Sequence, residues 1–182
     1  MKIGDHVYFA PGIRFADLDL EGTTLPTQYA ARIEGYYLSP AERAAQQGDA
    51  FAAGLLAVAA IDAMARLYYG PTRSARSTGQ DFRSFVHQRL KSFAEPRHAA
   101  ILYEKYRNGL VHEARIKDGC QFEIGRTETL DISGIAPVID PIRLIIEIRT
   151  ALKAIIHELG KSQQFRNELA DHIRQEFSYE LG

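Results

Sequence analysis

The sequence predicts a mainly α-helical domain of about five to six helices, with a small β-hairpin or meander inserted among them. Three observations carry this. From Ala50 to Ala65 the only ionisable residue is Asp62. Apolar side chains recur at three- and four-residue spacing in Phe82, Phe85, Val86, Leu90 and Phe93, and again in Ile145, Ile148, Leu152, Ile155, Ile156 and Leu159. Between these helical stretches lies Asp118-Gly119, flanked by Ala114–Lys117 and Cys120–Ile124, a common signal for a short hairpin turn.

Taken in order, residues 1–38 form an N-terminal arm, with alternating Val7 and Phe9, a Pro11-Gly12 turn and a short helix around Gln28 to Tyr37. Residues 39–113 hold core helices. Ser39-Pro40-Ala41-Glu42 has the composition of a capping box, so a helix is expected to begin there and run unbroken to Tyr69, stopping at Gly70-Pro71. Its apolar residues fall on every side of the wheel, which predicts a central, buried helix, with Ala52, Ala53, Ala59, Ala60 and Ala63 letting neighbours approach closely. A polar loop, 72–80, precedes an amphipathic helix over Asp81 to Phe93. Pro96 breaks that helix, and another runs from about Arg97 to Glu113. Residues 114–139 form the β insertion, with Thr129–Ser133 as a third strand. Residues 140–182 form two further helices, the first capped by Asp140-Pro141 and ended at Gly160, the second over Ser162 to Tyr179.

A chain of 182 residues is one domain by the length prior and long enough to bury a substantial core. The single Cys120 excludes an intramolecular disulfide and points to a reducing, cytoplasmic setting. The ion-poor run from Ala50 to Ile61 is too short to cross a bilayer, so no membrane association is expected. A net charge of −1 argues against general coating of nucleic acid. Its distribution is uneven, however. Pro71–Lys117 holds ten Lys and Arg against four acids, a local excess of six, in the segment where a polyanion would be met.

That basic segment ends in Tyr103-Glu-Lys-Tyr-Arg-Asn-Gly-Leu-Val-His-Glu113. Arg107, Asn108 and His112 stand at the end of a helix weakened by Gly109. A second Arg–His pair, Arg166-Asn-Glu-Leu-Ala-Asp-His172, lies in the terminal amphipathic helix and reads as a solvated face. The first spelling, with an aromatic before Arg and a small residue after Asn, behind an apolar helix containing Ile61-Asp62, resembles the R-N-x-x-x-H signature of the HEPN superfamily over roughly residues 40–160.

The resemblance implies a HEPN-like helical bundle that pairs into a homodimer, and a metal-independent endoribonuclease of the toxin or phage-defence kind. By that resemblance Arg107, Asn108 and His112 are the catalytic set. Histidine titrates near neutral pH and can act as base or acid, Arg stabilises phosphoryl oxygens, and Asn orients phosphate or His. Asp62, a carboxylate in an apolar helix, needs a cation, and Arg107 is the expected partner. Tyr106 and Glu113 are supporting candidates, and Arg73, Arg76, Lys105 and Arg115 are candidates for RNA phosphate. No metal-ligand spacing, phosphate-cradling Gly-rich loop or nucleophile motif occurs, so no cofactor is expected.

Partners implied are a second copy, RNA or a nucleotide, and a protein or nucleotidyltransferase antitoxin. The alternative function is a non-catalytic nucleotide- or RNA-binding module, or a dimeric regulatory scaffold. Arg and His at a helix C-terminus also have a purely structural reading, since they bind carbonyls and suit the helix dipole. Geometry adds a demand. Residues five apart on an ideal helix point about 140° apart and rise about 7.5 Å. A site shared by Arg107 and His112 therefore needs the reach of Arg, a distortion near Gly109, or a second copy placed by two-fold symmetry.

Overall fold

The computed structural model describes residues 2–3, 6–70, 78–113 and 115–181. It is mainly helical with two small sheets. At the N-terminus β1 (Lys2–Ile3), β2 (His6–Ala10) and β3 (Ile13–Arg14) form an antiparallel sheet, turned at Gly12 with a positive φ of 77°. The helices are α1 (Leu25–Ile33), α2 (Ser39–Gln46), α3 (Ala50–Tyr69), α4 (Thr78–Arg89), α5 (Pro96–Ile101), α6 (Asn108–Glu113), α7 (Pro141–Lys161), α8 (Gln163–Glu176) and α9 (Ser178–Leu181). The second sheet has the order β4 (Gln121–Phe122), β6 (Val138–Ile139), β5 (Leu130–Asp131).

Helix α3 is the axis of the fold and packs against α2, α4, α7 and α8. Its inner face buries Ala57, Ala60, Ile61 and Met64 against Phe82, Phe85 and Val86 of α4 and Leu144, Ile148 and Leu152 of α7. Burying each large apolar side chain contributes about 1.5–3 kcal/mol, so this stripe-to-stripe packing dominates the fold.

The N-terminal boundary of α3 departs from expectation. The run from Ser39 to Tyr69 is interrupted, because Gly48 takes a φ of 82° and Asp49 caps α3 by accepting the Ala52 N–H at 3.0 Å. Ser39 in turn makes no cap. The chain passes from α1 into α2 through a π turn, Glu34–Leu38, without leaving helical geometry, and Glu42 reaches Arg149 of α7 at 2.8 Å.

Nor is α3 buried all round. Phe51 is 46% and Leu55 39% exposed, and with half-buried Ala59, Asp62 and Ala63 and exposed Arg66 they make a helical stripe only partly covered by its neighbours. At 20 residues α3 is long and apolar enough, by length and composition, to cross a membrane, and half of its most apolar window is buried inside the fold.

Asp140 does cap α7, through Ile142 N–H at 2.8 Å and Arg143 N–H at 3.2 Å. Its second oxygen also takes Gly125 N–H at 2.8 Å and Arg126 N–H at 2.9 Å, tying the β insertion to the helix. Helix α7 runs through Gly160 to Lys161, and Ser162 caps α8 through Phe165 N–H at 3.1 Å.

The insertion differs from the expected hairpin. Asp118 and Gly119 form a turn, with φ of 55° and 75°, but the segment before it is held to the motif helix. Arg115 N–H donates to Gly109 O at 3.2 Å and Lys117 N–H to Lys105 O at 3.0 Å, so these donors close a helix instead of a ladder. Strand β4 instead pairs in parallel with β6, which pairs antiparallel with β5, and the N-terminal strands keep to their own sheet.

Candidate functional site

The motif is delivered by a helix that changes pitch. Helix α5 widens into a π turn over Leu102–Arg107, whose last bond runs from Asn108 N–H to Tyr103 O, and tightens again as α6. An extra residue in a turn re-phases everything after it, and such turns occur frequently at functional sites. Leu102 and Tyr106 remain buried through the change, so Arg107 lies at the edge of the core. Gly109 has a steric role there. A Cβ at that position would lie 2.3 Å from Arg115 O, so only glycine admits the returning chain.

Arg107, with 13% of its side chain exposed, is fastened on several sides. Its Nη2 donates to Asp62 Oδ2 at 3.1 Å, the partner expected for that carboxylate. Its Nη1 donates to Asn108 Oδ1 at 3.3 Å and lies 3.5 Å from His112 Nε2, while its Cζ sits 5.7 Å from the Tyr103 ring centre. The reach of the arginine thus joins residues five apart within one chain. A guanidinium only donates, so any bond across this gap uses a lone pair of the imidazole as acceptor. His112 itself is exposed, and Arg107 Nε is buried with no hydrogen-bond partner.

Asp62 and Arg107 line a groove of about 300 Å³. Tyr37 from the first π turn, Leu55 and Ala59 from α3, and Phe177 after α8 supply its other walls. Two further arginines face it. Arg66 pairs with Glu176 at 2.6 Å, and the Arg32 guanidinium lies over Phe177 and Phe9 at 4.7 and 5.0 Å. None of Arg32, Tyr37, Arg66, Tyr103, Glu176 and Phe177 was indicated by sequence as a site residue. Two left a local trace, as Arg66 follows Asp62 by one helical turn and Tyr103 precedes Arg107 by four residues.

The remaining candidates are dispersed. Tyr106 points into the core, where its hydroxyl donates to Gln121 O at 3.1 Å and Pro137 O at 2.8 Å. Burial pushes its phenol pKa well up, so it positions the insertion as a neutral group. Glu113 pairs with Arg115 at 2.8 Å and with Lys117, which holds its carboxyl below the usual range. Lys105 is bonded to Asp118 and its pKa is raised by that contact. Lys105 and Arg115 are thus each engaged by an acid. Arg73 and Arg76 lie outside the described residues. Cys120 is buried, and desolvation pushes its thiol up. Among the described residues no three His, Cys, Asp or Glu side chains converge as a metal site would require.

The second Arg–His pair is built into the scaffold instead of facing solvent. Arg166 Nη1 donates to Leu159 O at 2.7 Å and Gly160 O at 3.2 Å, and His172 Nδ1 lies 2.7 Å from Leu67 O. Compared with known proteins, the chain matches no family model, no curated protein and no solved structure.

Proposed function

We propose that the protein is a HEPN-like, metal-independent endoribonuclease of the toxin or phage-defence kind, acting as a homodimer. The observation that carries the reading is Arg107, a lining residue of the groove, bonded to Asp62 and Asn108 and placed 3.5 Å from the exposed His112. In this mechanism His112 Nε2 takes the proton of a ribose 2′-hydroxyl, whose oxygen attacks the adjacent phosphorus. Arg107 neutralises the non-bridging oxygens as charge builds on the phosphorane, and Asn108 and Asp62 hold the guanidinium in place. A second acid, His112 of the other copy, protonates the departing 5′-oxygen, leaving a 2′,3′-cyclic phosphate and a 5′-hydroxyl.

The second copy has support in the exposed Phe51 of α3, an apolar ring one helical turn before the groove-lining Leu55. An isologous contact about Phe51, leaving the groove open, is the two-fold arrangement this reading requires. The alternative, a nucleotide- or RNA-binding module or dimeric scaffold without catalysis, is favoured by one observation. Lys105 and Arg115 are both tied to acids, which reduces the cationic field available to an RNA backbone.

The test is incubation of a mixed RNA pool with the protein in chelator, with analysis of the new ends. Cleavage leaving cyclic phosphates, lost in Arg107→Ala and in His112→Ala, is the expected result. Intact RNA after exposure to a folded dimer, across pH and RNA types, would sink the enzyme reading in favour of the binding one.

A further inference from the structure

The groove beside Arg107 has features that phosphate chemistry alone leaves unused. Its walls include Tyr37, Leu55, Ala59 and Phe177, which are apolar or aromatic and do nothing for a phosphate. Its lining carries both signs, with Arg66 paired to Glu176, Arg107 paired to Asp62, and Arg32 beside them. Both π turns contribute a side chain to it, Tyr37 from Glu34–Leu38 and Arg107 from Leu102–Arg107. Two separate departures from regular helix geometry thus each bring a side chain to one cavity, and such turns occur frequently at functional sites.

A nucleobase has the chemistry that uses all of these features. It presents a flat apolar ring to the walls and both donors and acceptors along its edge, matching the carboxylates and guanidiniums of the lining. Unstacked bases of single-stranded RNA are held on aromatic rings and on Arg planes, and the Arg32 plane lies 4.7 Å over Phe177 at this wall. A volume of about 300 Å³ is at the small end of ligand sites, the scale of a single small ligand such as one base.

We propose that this groove is a subsite for one unstacked nucleobase of the RNA, whose phosphate is then carried to Arg107 and His112. The assignment rests on the ribonuclease reading for the identity of its polymer, but base binding itself is measurable without cleavage.

The experiment titrates the wild-type protein with AMP, GMP, CMP and UMP, and with ribose 5-phosphate, which keeps the sugar and phosphate and lacks the ring. At least one mononucleotide is expected to bind ~10-fold or more tighter than ribose 5-phosphate, the order that one stacked base provides. Leu55→Trp and Ala63→Leu, which fill the groove from α3, should each erase that advantage and leave ribose 5-phosphate binding as it was. Equal affinity for all five probes would overturn the subsite, as would an advantage that survives both fillings. A Leu55→Trp protein with changed sedimentation and an intact base advantage would also overturn it, assigning the groove to a contact between copies. A base advantage in a protein that cleaves no RNA would uphold the subsite and reject the ribonuclease reading.

Discussion

Two stretches of this chain open on Arg-Asn and reach a His, five residues after the Arg in one and six in the other, and they differ in what surrounds them. Arg107-Asn108 is followed by His112, and Arg166-Asn167 by His172. In the second, the two terminal nitrogens of the guanidinium bond to the last carbonyls of α7 and to Gln163, and the histidine lies against Leu67 O near the end of α3, while Arg166 Nε, like Arg107 Nε, is buried without a partner. Both side chains satisfy carbonyls that a helix C-terminus leaves without partners. In the first, Arg107 closes no helix. It is bonded to side chains, Asp62 and Asn108, and it lines a groove. Arg166 and His172 are turned toward backbone carbonyls, whereas Arg107 is held by a carboxylate with a histidine 3.5 Å away, the arrangement on which the proposed chemistry rests.

The strongest way to break this comparison is by activity. Under the proposed function, Arg107→Ala and His112→Ala should each lower RNA cleavage by ~10²-fold or more, while Arg166→Ala and His172→Ala leave the rate of the folded protein near wild type. Initial rates at equal folded concentration decide it.

Stability sharpens the same contrast, and two scaffold positions set its scale. Asp140→Ala strips acceptors from four backbone N–H groups and should cost ~2–4 kcal/mol by denaturant titration. Gly109→Ala forces a methyl against Arg115 O and should cost ~1–3 kcal/mol, displacing the motif helix and depressing activity with it. Within the comparison itself, His172→Ala should lower stability by ~1–2 kcal/mol, whereas exposed His112→Ala should stay within ~0.5 kcal/mol.

The smallest effect is a pH dependence remote from both pairs. Arg149, bonded to Glu42, holds that carboxyl below its ordinary pKa, so the pair stabilises the fold above the ordinary carboxylate range. That contribution is lost as pH falls through the depressed value in the folded state. Wild type should therefore exceed Glu42→Gln slightly in thermal stability near neutrality and converge with it in acid. A difference that grows in acid would reverse the sign and remove the ion pair from the account.

Much of the scaffold is legible from periodicity because burial on one side of a helix writes itself into three- and four-residue spacing. The α4 and α7 stripes and the Asp140 cap are of that kind. The break at Gly48-Asp49 was written too, as a glycine terminator followed by an Asp cap, but the apolar and alanine-rich run around it masks both. The π turns have no local signature, since they arise from how a helix must re-phase to keep Leu102 and Tyr106 in the core. The parallel β4–β6 pairing joins residues separated by a long excursion, which a hairpin signal cannot encode.

The candidate site divides in the same way. Asp62, Arg107 and His112 could be singled out because each is conspicuous in its own segment. Glu176 and Phe177 reach the groove from the far end of the chain and are unremarkable where they stand, so only the fold brings them there.

The central claim is that the first Arg–His pair performs chemistry and the second holds helices. The most direct test measures melting temperature and RNA cleavage in chelator on the same preparations of His112→Ala and His172→Ala. The account predicts a crossed result. His112→Ala should melt with wild type and lose cleavage, whereas His172→Ala should melt ~2–8 °C lower and, below its transition, still leave cyclic phosphate ends. Parallel loss of cleavage in both variants, or a His112→Ala protein that cleaves as wild type does, would contradict it.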